Sequence, residues 1–218
     1  MLPADMTYYI VIKRIIDIFG AIVGIAIFIP VKLVVALHIK RVSPEGPVFA
    51  DMPKRSGRNG SKFKMYKFRS MHPGSHEKML ADPVLSKIYK DNGYKLEAEM
   101  DPRLIPGAVF LRKSSLDELP QFFNVLFGHM SIVGPRAYFP DELVEQSSKY
   151  EGTKEHIDIL LTTKPGITGP WQVGGRNEIE FPDRVKMDAE YAKKQSILYD
   201  LMIIIKTPIA VFTGRGVS

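Results

Sequence analysis

The stretch Ile15 to Ile39, IIDIFGAIVGIAIFIPVKLVVALHI, decides how this chain meets its surroundings: it is apolar almost throughout, interrupted only by Asp17, Lys32 and His38. Its uninterrupted part, Ile18 to Val31, is 14 residues long. As a helix that part rises about 21 Å, short of the roughly 30 Å hydrocarbon core of a bilayer. The whole stretch reaches further, but Pro30 falls inside it, where it deletes a helix hydrogen bond and its ring clashes with the preceding turn. Basic residues flank both ends, Lys13 and Arg14 before, Lys32, Lys40 and Arg41 after, and basic flanks favour the cytoplasmic side. A straight span cannot put both ends there. The favoured reading is a helix that enters, bends at Pro30 and returns to the same face with its backbone bonded throughout. An ordinary transmembrane anchor competes on hydropathy alone. A buried soluble helix leaves the basic flanks unexplained, and a cleaved signal peptide lacks a small-residue cleavage site after it.

Immediately after this stretch the chain turns strongly basic. From Lys40 to Ser70 there are nine Lys/Arg against Glu45 and Asp51, while the whole chain carries 30 basic and 24 acidic residues, so the remainder is close to neutral. Such a cluster suits a solvated face, an anionic membrane surface, a polyphosphate ligand or nucleic acid. Within it, Val48 to Ala50 reads as a short strand, and Ser61 to Met71 (SKFKMYKFRSM) alternates basic and apolar residues as a strand with one buried and one cationic face does. From His72 to Met100 the chain is polar and helical in pieces, starting near Asp82-Pro83 and broken at Asn92-Gly93. The total of 218 residues with 45% apolar composition supports a real core and excludes a disordered or collagen-like chain.

The chemistry concentrates in Leu111 to Arg136, LRKSSLDELPQFFNVLFGHMSIVGPR, where charged clusters flank a short apolar helix pattern over Phe122, Phe123, Leu126 and Phe127. Asp117-Glu118 has a structural explanation, since Ser115 followed by Glu118 matches a capping box and acidic residues suit a first turn. Pro120 fits that poorly, because it would fall past the first turn of a helix capped by Ser115. It also has a functional one. Neighbouring helical residues point about 100° apart, so the two carboxylates can take two tasks, one attacking an electrophile and the other holding a divalent metal. Arg112 and the Arg136 of Gly134-Pro135-Arg136 supply cations for an anionic group, and carboxylates mixed with arginines suit phosphate chemistry.

Several classes drop out. With no Cys there is no disulfide framework, thiolate zinc site, iron–sulfur cluster or cysteine nucleophile. The five His residues form no metal-ligand pattern. GxxxxGK[ST], GxGxxG and Asp-x-Asp are all absent, which argues against P-loop and Rossmann enzymes. Lys164 to Asn177 (KPGITGPWQVGGRN) reads either as a surface loop with a satisfied Trp or as a backbone-lined ligand loop. Leu198 to Phe212 is apolar but polar-interrupted, and packs on the core or lies at a membrane interface.

At these motifs the sequence closely resembles the bacterial sugar transferases, monotopic phosphoglycosyl transferases acting on polyprenol phosphate. The resemblance runs over nearly the whole chain: the apolar N-terminal helix with its proline break, Lys67 to Met71, Leu111 to Gln121, Ser131 to Arg136 and the Lys164 to Asn177 loop. It implies an α+β fold, mostly helical with a small β element, with a re-entrant membrane helix over 1–41 and a cytoplasmic catalytic domain with interfacial helices over 42–218. It implies Asp117 as nucleophile on the β-phosphate of a UDP-sugar, Glu118 as ligand of Mg²⁺, and Lys67, Arg69, Arg112, Arg136 and Arg176 as substrate-binding residues. The implied reaction releases UMP, leaves a covalent phosphosugar on Asp117 and passes it to undecaprenyl phosphate, which begins assembly of a surface glycan at the cytoplasmic face of the bacterial inner membrane. Expected partners are a UDP-sugar, undecaprenyl phosphate and membrane phospholipid, with room for a homodimer and no nucleic acid. Asp82 to Pro102 and Lys206 to Val217 look more like the hexose branch, galactose or glucose, than the bacillosamine branch. Where the family often has Ser-Pro at the helix break, this chain has Ile29-Pro30, which predicts a shallower bend. A membrane-anchored scaffold that binds anionic lipid without catalysis is the alternative, and it makes Asp117 only a helix cap.

Overall fold

The computed structural model describes residues 4–91, 96, 101–175 and 179–213. The expected break at Asn92-Gly93, Arg176, much of the stretch before Pro102 and the last residues lie outside them. In chain order the elements are α1 (Ala4–Ile27), α2 (Ile29–Val42), β1 (Arg55–Ser56), β2 (Lys62–Phe63), α3 (Ser75–Ala81), α4 (Pro83–Asp91), α5 (Ala108–Lys113), α6 (Gln121–Leu126), β3 (Ser131–Val133), α7 (Pro140–Lys149), α8 (Thr153–Leu160), β4 (Gly166–Thr168), α9 (Pro170–Gly174), α10 (Phe181–Lys194) and α11 (Ile197–Thr213). The mostly helical fold with a small β element is as expected. β1 and β2 pair antiparallel, Arg55 with Phe63 and Ser56 with Lys62, and β3 and β4 pair parallel, Ser131 with Gly166 and Val133 with Thr168.

The apolar N-terminal stretch forms two helices bent by 59°. The break lies at Phe28, with Pro30 in the first turn of α2 rather than at the bend. A proline cannot donate to the preceding turn but is tolerated where a new helix starts, so the helix breaks just upstream and restarts around it. Phe28 N still donates to Gly24 O at 3.1 Å and Lys32 N to Phe28 O at 2.9 Å, so the backbone stays bonded through the bend. No single helix among the described residues is long and apolar enough to cross a membrane.

The helix pair is no separate appendage. Gly20 and Gly24 on α1 let it lie against Ile132 and Phe122; a Cβ at Gly24 would sit 2.6 Å from the Phe122 ring. Ala21 is buried with Val125 and Met130, and Val35 and Ile39 of α2 are buried with Phe68, Ile105, Leu111 and Leu119. Asp17, an oddity in an apolar run, is buried and accepts from Ser131 Oγ and Ile132 N, both at 2.9 Å. Lys13 Nζ donates to Asp200 Oδ2 at 2.7 Å, joined there by Tyr9 Oη and Tyr191 Oη, so α1 is tied to α10 and α11 from the far end of the chain. Arg14 donates to Val125 O and Leu126 O at the C-terminus of α6, where the last carbonyls of a helix lack partners. The opposite face is apolar and exposed, with Ile15, Phe19, Ile22, Ile27, Leu33 and Leu37 on the pair and Leu198, Ile205 and Ile209 on α11.

Of the alternating stretch Ser61 to Met71, only Lys62 and Phe63 enter a ladder; Phe68 bridges to Phe49 and Met71 to Leu104. In between, the Asn124 side chain takes the place of a strand, accepting from Tyr66 N and donating to Lys64 O, both at 2.8 Å. Arg69 lies buried under this segment. It donates to Ser43 O and Ser43 Oγ at 2.6 Å, to Pro47 O at 2.6 Å and to Met71 O at 3.2 Å, holding the chain that leaves α2.

Candidate active site

The capping-box explanation of Asp117-Glu118 does not hold. Ser115 has φ 55° and ψ 19°, a left-handed conformation, and makes no side-chain cap bond; the helix that follows starts at Gln121 with Pro120 as its cap. The left-handed turn instead closes a single 3₁₀ turn over Leu116–Glu118, with Glu118 N on Ser115 O. A non-glycine residue in that region costs on the order of 1 kcal/mol or more and persists where the surroundings fix it. Here it aims Asp117 inward and Glu118 outward.

Asp117 is 1% exposed. Its carbonyl accepts from Phe68 N at 2.8 Å, which brings the neighbouring Lys67 alongside the carboxyl. Lys67 Nζ lies 2.8 Å from Asp117 Oδ2 and 3.5 Å from Glu118 Oε1, and so bridges the pair. Arg112, half-buried, donates from Nε and a terminal nitrogen to Ser70 Oγ at 3.1 and 3.0 Å. Burial pushes the Asp117 carboxyl above the usual carboxylate range and Glu118 adds to this, while Lys67 and Arg112 pull it back down. Burial works against the Lys67 charge as well, but Asp117 and Glu118 outweigh it and hold the ammonium above its ordinary value. The result is a desolvated carboxyl group set against a cation, which suits a nucleophile.

Arg136 lies in a second corner. Its guanidinium carbon is 5.0 Å from the Trp171 ring centre and 5.8 Å from that of Tyr138, and Arg184 lies over the same Trp171 ring at 5.2 Å. Behind them Asp188, fully buried, accepts from Arg136 N and Tyr138 Oη at 3.0 Å. Arg55, 7% exposed, covers the Phe139 ring at 3.3 Å and donates to Ala137 O at 3.0 Å. Burial, with the Arg136 charge beside it, pulls the Arg55 guanidinium down to about 9, and Glu142 and Glu118 oppose this. Arg55 thus lies in electrostatic reach of both the dyad and Arg136.

The structure therefore brings together Lys67, Asp117, Glu118 and Arg112, sets Arg136 beside a neighbouring cationic corner, and gives Arg69 to the chain leaving α2; Arg176 lies outside the described residues. Arg55, Arg184 and Asp188 were missed. Trp171 is neither a satisfied nor a surface residue: it is 7% exposed and its indole N–H has no hydrogen-bond partner. Among the described residues no three His, Cys, Asp or Glu come together as a metal cluster.

The family described as bacterial sugar transferase matches residues 8–214. The galactosyl transferase CpsE of Streptococcus agalactiae is 39% identical over 209 residues, 95% of this chain and 44% of its own. The undecaprenyl-phosphate galactose phosphotransferase of Salmonella typhimurium is 39% identical over 208 residues, 94% of this chain and 41% of its own. The exopolysaccharide production protein ExoY of Rhizobium meliloti is 37% identical over 211 residues, 94% of this chain and 87% of its own. The chain thus spans less than half the length of the first two and most of the third.

Proposed function

The chain belongs to the bacterial sugar transferase family, and we propose that it transfers a hexose-1-phosphate from a UDP-sugar to undecaprenyl phosphate, releasing UMP, as the first membrane step of a surface glycan. The observation that carries this is the Lys67–Asp117 pair at 2.8 Å beside Glu118. An Asp117 oxygen attacks the β-phosphorus; the bond from that phosphorus to the bridging oxygen breaks, and UMP leaves with the electron pair. A phosphate oxygen of undecaprenyl phosphate then attacks the same phosphorus and the aspartyl oxygen departs, restoring the carboxylate. Lys67 and Arg112 offset negative charge at the first centre.

Mg²⁺ is part of the proposal. Glu118 is a part-exposed carboxylate beside Asp117, with no third metal-ligating side chain gathered there among the described residues, and Mg²⁺ characteristically takes one or two carboxylates and fills its shell with water and substrate phosphates. The donor set fits, with Glu118 as the holding residue. Bound there, the ion would neutralise diphosphate charge.

Attachment to one face of a membrane belongs to the same reading. Both arms of the bent helix pair pack on the catalytic body, α1 through Lys13, Asp17 and Ala21 and α2 through Val35 and Ile39, while Ile27, Ile29, Leu33 and Val34 around the bend are exposed. With both arms held by one body, both flanks lie on its side, the cytoplasmic side by charge. Cysteines placed singly at Ala4 and Arg58, in a chain with none of its own, should both be labelled from the cytoplasm; labelling of Ala4 only from the opposite side would mean a span. The activity is tested by offering the purified protein a panel of UDP-sugars and reading UMP with and without undecaprenyl phosphate. Release from one hexose, sustained only with the lipid, is expected; none from any donor would remove the assignment and leave the lipid-binding scaffold.

A further inference from the structure

The corner around Trp171 holds donors without acceptors. The Nε–H groups of Arg55, Arg136 and Arg184 and the Nε1–H of Trp171 are all buried with no hydrogen-bond partner. None of the three guanidiniums makes an ion pair among the described residues. The carboxylate nearest to hand, Asp188, takes both Arg136 N and Tyr138 Oη on Oδ2, while its Oδ1 is buried without a partner and no guanidinium forms an ion pair with it among the described residues. Burial and the Arg136 charge also pull the Arg184 guanidinium below its usual range. Buried cations in globular proteins are paired or bound to something. Arg55 and Arg184 each give one terminal nitrogen to a backbone carbonyl, Ala137 O and Ile179 O, both at 3.0 Å. This leaves three guanidinium Nε–H groups and an indole N–H around the Trp171, Tyr138 and Phe139 rings without an acceptor, a set that suits a multivalent oxyanion.

The position of Arg55 says which one. It lies on β1 opposite Phe63, which is four residues before Lys67, and donates to Ala137 O beside Arg136, so it stands between the segment that carries Lys67 and the Trp171 corner. The charges of Glu118 and Arg136 both act on it. When a nucleophile attacks one phosphorus of a diphosphate, the second phosphate departs on the far side and gains charge as the bridging bond breaks. Resting on the proposed transfer, we propose that Arg55, Arg184 and the Trp171 N–H, together with Arg136, hold the phosphate of the departing nucleoside monophosphate. Lys67 and Arg112 then serve the transferred phosphate, and Arg55 stands between the two. The lipid acceptor's phosphate has the same chemistry and is the competing occupant.

Trp171 is the only tryptophan of the chain, so its fluorescence reports on this corner directly. The full-length protein is titrated with UMP, uridine, inorganic phosphate and farnesyl phosphate, followed by fluorescence and calorimetry. UMP should give a saturable change that inorganic phosphate competes away and uridine alone does not produce. Arg55→Gln and Arg184→Gln should each raise the UMP Kd about ten- to a hundredfold and raise the KM for the UDP-sugar in step, with Arg55→Lys and Arg184→Lys between them and wild type, and Arg58→Gln unchanged. An unchanged UMP Kd in folded Arg55 and Arg184 variants overturns the site, as does a Trp171 response to farnesyl phosphate and none to UMP. If a variant does not fold, wild-type protein that shows no UMP response by either method overturns it equally. Binding needs no turnover: arginine-dependent UMP binding without UMP release from any donor would sink the transferase reading alone, whereas normal turnover with arginine-independent binding would sink this site alone.

Discussion

Two buried polar corners meet at Arg55 and solve the problem of buried charge in opposite ways. Around the dyad the carboxylates have a cation, Lys67 lying 2.8 Å from Asp117 and 3.5 Å from Glu118, and Arg112 rests on the neutral Ser70 hydroxyl. Around Trp171 the cations outnumber what answers them, and four donors point at no acceptor. A corner whose charges pair internally keeps its geometry ready without a ligand. A corner that cannot pair internally is completed only by one. On the proposed reading the covalent step belongs to the first corner and anion capture to the second.

The largest expected effect falls on the paired corner. Asp117→Asn should reduce turnover by about 10⁴-fold or more with folding intact, because an amide cannot attack phosphorus and residues acting as the nucleophile carry losses of that order. Glu118→Gln should retain more activity and need more Mg²⁺. Wild-type rates in Asp117→Asn would break the distinction between the corners outright.

Lys67→Met tests the pairing itself. It leaves a buried carboxylate without its cation, a loss of roughly 3–5 kcal/mol for a buried pair, and should lower kcat/KM by about a hundredfold or more. Lys67 holds the Asp117 pKa down, so without it the carboxyl protonates at higher pH and the acid limb of the kcat/KM profile should move up by about one unit or more. An unmoved limb would mean that Asp117 is not the titrating group.

Smaller changes follow from replacing forks with point charges. Arg112→Lys and Arg136→Lys should each cost about ten- to a hundredfold, as a charge-assisted bond of roughly 1.5–3 kcal/mol is lost, whereas the exposed Arg58→Lys should cost almost nothing. Equal, small losses at all three would reduce both corners to a diffuse positive field.

The smallest effect concerns the floor of the arginine corner. Burial raises the Asp188 carboxyl to about 7. A folded-state pKa above the unfolded one gives stability that is complete below about pH 4 and is lost as pH rises through 7. Asp188→Asn should flatten that slope, gaining stability relative to wild type as pH rises between those limits in denaturant melts followed against pH. Parallel curves for the two proteins would show that Asp188 does not titrate there.

How much of this could be read from the sequence depended on distance along the chain. Asp117, Glu118 and Arg112 lie within seven residues of one another and announced themselves, and Pro120 already argued against Ser115 as a cap; the positive φ of Ser115 completes that correction. Pro30 signalled the break of the apolar helix, but the break itself lies at Phe28, since proline disrupts the turn before it and not its own. The strand read into Ser61 to Met71 was only partly there, because the side chain of Asn124, nearly sixty residues away, supplies the bonds a neighbouring strand would have. Arg55 and Arg184 lie on β1 and α10, and no local pattern links them. Arg69 shared a motif with Lys67 and looked like its functional twin, since residues two apart in a regular strand share a face. The segment is not a regular strand, and Arg69 turns to the chain leaving α2 while Lys67 turns to the dyad.

The central claim is that Asp117 carries the sugar phosphate between donor and acceptor. It is tested most directly by incubating the protein with the UDP-hexose that supports UMP release, without lipid acceptor, and reading the intact mass and then the peptide masses. The account predicts one equivalent of UMP released per chain and an added hexose phosphate on the peptide containing Asp117, discharged by undecaprenyl phosphate and absent in Asp117→Asn. An adduct on any other residue, or turnover with no adduct and no UMP until the lipid is present, would contradict it.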